Sequence, residues 1–215
     1  EEHTPPPFPF LCLLVSGGNS QIILVRAYND MEIIGKTIDD AAGEAFDKVG
    51  RRLGLAYPCG AGMDSLAAKG FENTVSLKLP SPHIKGSFDF SFSGLKTAAV
   101  NLIHNERQKL SLTDDDPLPE ELRAEIAAAF TRSVTDGISE GVKEAIAEHG
   151  AGPIILAGGV AANSHLRARL TKAAEKEGLT TYFPPLSLCG DNAAMIACQA
   201  YFEYEAGHFL FAILM

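Results

Sequence analysis

Twice in this 215-residue chain a short apolar run ends on a pair of glycines. Phe10–Val15 runs into Ser16-Gly17-Gly18-Asn19, and Ile154–Ala157 runs into Gly158-Gly159. Apolar runs this short, bounded by glycine, read as buried strands. After the first pair, Gln21–Arg26 is apolar again, so the glycines sit in the turn of a hairpin. After the second, Leu166 and Leu170 fall at helical spacing, so the glycines open a helix. A hairpin early and a strand-to-helix return late confine the chain to mixed α/β architectures.

The stretches between fit that frame. Met31–Ile38 adds a third strand, and the period then changes. Ala42, Phe46, Val49 and Leu53 share one face of a helix predicted over Asp39–Leu53, with Asp40, Glu44, Asp47 and Arg51 on the other. The glycine- and proline-bearing loop Ala56–Asp64 leads into a short helix, Asp64–Lys69. Gly86–Gly94 reads as strand or extended chain, with Ser93 placed to cap the helix after it. Ser111–Pro119 is an acidic surface loop, and Glu120–Glu148 is a long helix interrupted near Gly137. A last strand lies near Thr180–Phe183, and the loop "PPLSLCGDN" feeds a helix over Ala193–Glu205.

Charge and cysteine content exclude some functions. A formal net charge of −9 argues against a broad basic face for nucleic acid. Cys12, Cys59, Cys189 and Cys198 lie far apart with no C-x-x-C pair, which suits a reducing cytoplasm and neither a zinc knuckle nor a disulfide framework. No apolar stretch approaches the roughly 18 residues of a spanning helix, so no membrane partner is expected. The chain starts at Glu1-Glu2-His3 without methionine and stops inside the apolar run "HFLFAILM", which reads as a piece of a longer chain.

Several motifs each carry a plain and a chemical reading. A hairpin around Ser16–Asn19 needs only one glycine; a pair lets consecutive N–H groups converge on an anion. "LAGGVAAN" ends a strand and opens a helix, where orphan amides and the helix dipole favour a phosphate or nucleotide. Asn163 either contacts a base or sugar there or caps the helix. Asp40 and Glu44 read as a solvated face. Asp47 and Asp64 flank the "CGAGMD" loop and could clamp the paired hydroxyls of a ribose, although Asp64 also reads as an N-cap. Asp191 is an N-cap or a metal ligand, and one carboxylate alone does not hold a divalent ion firmly. Two glycine corners, each followed by a polar residue, favour a nucleotide cleft.

"LLVSGGNSQ", "IDDAAGEAFDKVGRRLGLAYP", "FDFSFSGLKT", "LAGGVAANSHLR" and "CGDNAAMIA" occur in one order over nearly the whole chain. Together they resemble the TsaD family, the tRNA threonylcarbamoyladenosine-forming transferases once labelled O-sialoglycoprotein endopeptidases. The resemblance implies an actin-like ATPase or sugar-kinase-like (ribonuclease H-like) fold, with mixed sheets, helices on both faces and a ligand cleft between two related halves, here truncated. It divides the chain into a remainder of the first lobe (1–38), a mostly helical part of the second (39–150) and a β-α-β-α part returning to the cleft (151–215). It implies transfer of a threonylcarbamoyl group from threonylcarbamoyl-AMP to the N6 amine of an adenosine beside the anticodon of tRNA, in the cytoplasm.

The family's substrate site matches Leu14, Val15, Ser16, Gly17, Gly18, Asp47, Gly60, Asp64 and Asn163, with Asn19, Gly158 and Gly159 as further phosphate contacts. Asp191 matches a metal-binding aspartate that shares iron or zinc, one ion per subunit, with two histidines of an H-x-x-x-H. Those histidines are not in this chain, since His3 has no partner four residues away. Asn19 stands where bacterial members usually carry histidine, and Cys59 replaces a glycine, tightening the loop beside Gly60. The resemblance also implies a non-catalytic paralogous subunit and a small ATPase as partners. No Ser-His or Cys-His pairing and no zinc-protease motif supports the older protease label. The rival readings are an inactive binding or scaffolding paralogue, and an ATPase or sugar kinase of the same superfamily. The chain by itself is expected to keep nucleotide affinity and to lack metal-dependent transfer.

Overall fold

The computed structural model describes residues 5–73, 75–113, 116–150 and 152–208. His3, two aspartates of the acidic loop and the apolar tail beyond His208 lie outside the described residues. Five strands, β1 (Phe10–Val15), β2 (Ser20–Ala27), β3 (Asp30–Lys36), β4 (Ile154–Ala157) and β5 (Thr181–Tyr182), form one sheet in the order β3-β2-β1-β4-β5. β1 pairs antiparallel with β2 through the predicted hairpin and parallel with β4, so the two glycine turns leave the sheet side by side. The sheet therefore joins strands from the stretches 1–38 and 151–215, and the helices of 39–150 add to the same apolar core.

The alternation along β1 decides which face is core. Leu11, Leu13 and Val15 are buried together with Ile22, Leu24, Ile154 and Leu156. Against them pack α1 (Ala42–Arg52), α2 (Gly60–Phe71), α3 (Ser93–Lys109), α4 (Glu120–His149) and α5 (Ser164–Lys176). Burial on this scale, at about 25 cal/mol per Å² of apolar surface, is the main favourable term in folding.

α4 is unbroken across Gly137, against the interruption predicted there. A Cβ at Gly137 would lie 2.5 Å from Pro82 Cδ, so this glycine admits a crossing segment instead of ending a helix. Gly70 plays the same part between α2 and α4, where a Cβ would stand 2.1 Å from the Ala124 carbonyl oxygen. The last helix, α6 (Ala193–Glu205), buries none of its residues, and Phe202 stacks on Tyr28 at the β2–β3 turn with ring centroids 3.6 Å apart.

Ser93 does not cap α3; it is the first helical residue. The cap comes from Asp39, 54 positions earlier. Its carboxylate accepts from Phe92 N at 2.8 Å, Ser93 N at 3.2 Å, Ser91 Oγ at 2.6 Å and Ser93 Oγ at 2.7 Å. Burial works against the charge, but these hydrogen bonds outweigh it and hold the carboxyl below its ordinary range. A depressed folded-state pKa contributes stability that is present above the unfolded value and lost as pH falls through the folded one. Asp39→Asn should therefore cost about 1 kcal/mol at neutral pH, the usual worth of a cap. It should also flatten the loss of stability in acid, as urea titrations at neutral and acid pH would register. An unchanged acid slope would contradict this role.

Candidate functional site

The strand–glycine–strand and strand–glycine–helix turns meet the N-terminus of α2 around a cleft of about 550 Å³. That volume lies in the range of small-molecule sites. Gly17, Asp47, Gly60, Asp64, Gly159 and Asn163 all line it, although they come from four separate segments. Leu14 and Val15 lie in β1 below the loop; Val15 is fully buried and Leu14 half-buried. Ser16, Gly18 and Asn19 complete the loop without lining the cleft, and Gly158 sits behind it. Asp191 is exposed and does not line it.

The two glycine pairs are unlike in their reasons. Gly158 has φ +88° and ψ 170°, and a Cβ there would stand 2.4 Å from the Val15 carbonyl oxygen, so the fold itself demands glycine. Gly17, Gly60 and Gly159 have no left-handed φ, and a Cβ on any of them meets nothing within 4 Å. Their N–H groups make no hydrogen bond with the described residues. Folding gives no account of glycine at these three positions.

Within the first loop, the expected row of converging amides is partly closed. Ser16 Oγ accepts from Gly18 N at 3.3 Å and Asn19 N at 3.0 Å, leaving the Gly17 amide outward. The same loop braces α1: Gly43 N donates to Ser16 O at 3.1 Å and Ala42 N to the buried Ser20 Oγ at 2.9 Å.

Asp47 and Asp64 hold the cleft together while each keeps one oxygen clear. Asp47 Oδ1 accepts from Cys59 N at 2.7 Å, one residue before α2. Asp64 is not the N-cap of its helix, because α2 begins four residues earlier at Gly60. Its Oδ1 instead accepts from Ser164 N at 3.1 Å and Ser164 Oγ at 3.0 Å, tying α2 to α5. The other carboxylate oxygen of each aspartate has no partner among the described residues. Asn163 does cap α5, accepting from Leu166 N at 2.8 Å, and its Nδ2 is uncommitted. Glu44 lies on the solvated face and pairs with Lys48, whereas Asp40 precedes α1 and is largely covered, its carboxylate paired with Lys48 and Lys96.

The lining contains no histidine or cysteine. Cys59 lies buried behind it, packed on Gly50, and burial, with Asp47 adding to it, pushes its thiol up. Asn192, not Asp191, caps α6, accepting from Met195 N at 3.1 Å. Among the described residues no three of His, Cys, Asp and Glu converge, so this chain's residues do not by themselves fit a metal. No described helix is long and apolar enough to cross a membrane. Phe46, Pro58 and Leu186 also line the cleft and were not foreseen. Only the closeness of Phe46 to Asp47, and of Pro58 to Gly60, hinted at them.

Comparison with known proteins is specific. Residues 1–198 match the family model TsaD, tRNA N6-adenosine threonylcarbamoyltransferase. Proteins of that name from Listeria innocua and Symbiobacterium thermophilum are 48% and 45% identical over 203 residues, covering 93% and 94% of this chain and 56% of each relative. The Bacillus subtilis protein is 46% identical over 202 residues, 93% of this chain and 55% of its own length. The chain thus spans just over half the length of the curated relatives it matches. Among solved structures, HypF from T. kodakarensis superimposes with a TM-score of 0.66 at 15% identity, over 93% of this chain and 34% of its own. Full-length HypF in a phosphate- and nucleotide-bound form gives 0.68 at 12%, over 95% and 34%. At such identities these two report the fold alone, the actin-like α/β class anticipated from the motifs. On the sequence matches, the chain belongs to the TsaD family of tRNA N6-adenosine threonylcarbamoyltransferases.

Proposed function

We propose that the cleft binds threonylcarbamoyl-AMP and that the full-length protein transfers its threonylcarbamoyl group to the N6 amine of an adenosine beside the anticodon of tRNA. The observation that carries this reading is the set of bare glycines at 17, 60 and 159. Each lines the cleft, has an N–H without a hydrogen bond among the described residues and leaves open the space a Cβ would fill, which lets a phosphate come close to backbone. The first turn of α2 adds the positive end of a helix dipole at Gly60. The free oxygens of Asp47 and Asp64 suit the paired ribose hydroxyls, and Asn163 Nδ2 suits a carbonyl or ring nitrogen.

The donor is a mixed anhydride. As the amine nitrogen attacks the acyl carbon, a C–N bond forms, the acyl C–O bond to phosphate breaks, and the amine's proton passes to water. AMP departs as an anion already held by amides, so the site lowers the barrier by stabilising the leaving group. No acyl-enzyme is needed, in keeping with a lining that has no histidine or cysteine. We place this activity in the cytoplasm, which the free cysteines suit, alongside a paralogous subunit and a small ATPase. A metal, if the full-length protein carries one, draws on Asp191 and on ligands outside this chain.

The test is transfer to unmodified tRNA from threonylcarbamoyl-AMP, read by mass spectrometry of the digested nucleosides. The full-length protein should yield threonylcarbamoyladenosine, and residues 1–215 alone should bind the adenylate and yield none. Absence of the modified nucleoside with the full-length protein would sink the assignment.

A further inference from the structure

The chain holds 18 Lys and Arg against 27 Asp and Glu, and several of its cations are held by partners within the fold. Arg26 pairs with Glu32, Lys48 and Lys96 with Asp40, Lys69 with Glu120, Lys109 with Glu106 and Arg169 with Asp136. Arg132 and Arg167 donate to backbone carbonyls. Four further arginines share one place. Arg51 and Arg52 at the end of α1, Arg107 on α3 and Arg123 on α4 line a second cavity of about 260 Å³. None of the four makes an ion pair among the described residues.

Two of these guanidinium groups are fixed by backbone carbonyls. Arg107 Nη1 donates to the carbonyls of Thr113 and Asp116, and Arg123 Nε to that of Leu53 at 2.7 Å. The one described carboxylate on the wall, Asp116, accepts from Thr113 N at 2.8 Å and Thr113 Oγ1 at 2.7 Å. Planar forks of N–H donors held in this way match a phosphate. Four arginines gathered without an ion pair among the described residues, in a chain of net charge −9, make a place where a polyanion meets less repulsion.

This cavity adjoins the adenylate cleft. Asp47 in the cleft and Arg51 in the cavity are one turn apart on α1, about 6 Å along its axis. Beside Arg51 lies Tyr57, 69% exposed, with the Arg51 guanidinium 5.3 Å from its ring centroid and Pro58, a cleft residue, next in the chain. An exposed ring beside a cationic pocket is the usual platform for an unstacked base.

We infer that the arginine cavity and the Tyr57 ring form the RNA seat of this site: the cavity takes a backbone phosphate and Tyr57 stacks a base flanking the reacting adenosine. The inference rests on the reading of the cleft as the place of transfer.

Fluorescence anisotropy with a labelled, unmodified anticodon stem-loop tests it, with AMP titrated in parallel against the same proteins. Arg52 has no hydrogen bond or ion pair among the described residues, so Arg52→Gln should leave the thermal transition unchanged. It should weaken RNA binding severalfold at low salt and lower the slope of log affinity against log salt by about 0.7 to 1. Tyr57→Leu should weaken RNA binding at least about fivefold, whereas Tyr57→Phe keeps the stacking face and the affinity. AMP binding should be the same in all of them. RNA affinity and salt slope unmoved by both Arg52→Gln and Tyr57→Leu would overturn the inference, as would a chain that binds no RNA. The same cavity serving an acidic protein partner would give that unmoved result. Loss of AMP binding in the unsubstituted chain would strike the cleft reading instead, whatever the RNA does.

Discussion

Gly158→Ala should cost roughly 3 kcal/mol of stability or more. Its φ of +88° with ψ 170° is a region that side chains avoid, at about 1–3 kcal/mol. The new Cβ would also press to 2.4 Å on the Val15 carbonyl, which belongs to the central strand of the sheet and has little room to retreat. Against the roughly 5–15 kcal/mol that holds a typical domain, this is a large fraction. Gly159→Ala, one residue on, should change stability by less than about 1 kcal/mol, in either direction, because its backbone is ordinary and its surroundings are open. Urea midpoints at unchanged slope would report both values. Equal effects at the two positions would contradict the distinction drawn between them.

The converse prediction concerns ligand rather than fold. Gly17→Ala and Gly60→Ala should leave stability within about 0.5 kcal/mol, since neither Cβ meets any protein atom within 4 Å. Each should weaken adenylate binding by at least about tenfold, near 1.4 kcal/mol, because the added methyl stands where the phosphate must approach the amide. Isothermal titration with AMP measures this. Undiminished affinity in both variants would mean that these glycines face nothing.

Much of the fold was legible because it rests on local pattern. β1, β4 and α6 fall on the residues that their apolar runs and spacing mark. What escaped was every feature supplied from a distance. α2 starts at Gly60 instead of Asp64 because Asp47, on another helix, caps the Cys59 amide. α3 is capped by Asp39 across 54 positions, which no window of sequence can show. Gly137 looked like a break and proved to be a point of contact with Pro82. At the site, the residues were marked by glycine and acid, but their division of labour was not. A string of letters cannot separate Gly158, which the backbone requires, from Gly159, which it does not. Nor could it show that the Ser16 hydroxyl occupies two of the loop's amides.

Backbone amide spectra of the isotope-labelled chain, titrated with AMP, test the central claim most directly. The account predicts that the Gly17, Gly60 and Gly159 resonances move together along one saturating curve, while Gly86 and Gly178, which do not line the cleft, stay still. Shifts gathered elsewhere, with those three glycines unmoved at saturation, would contradict it.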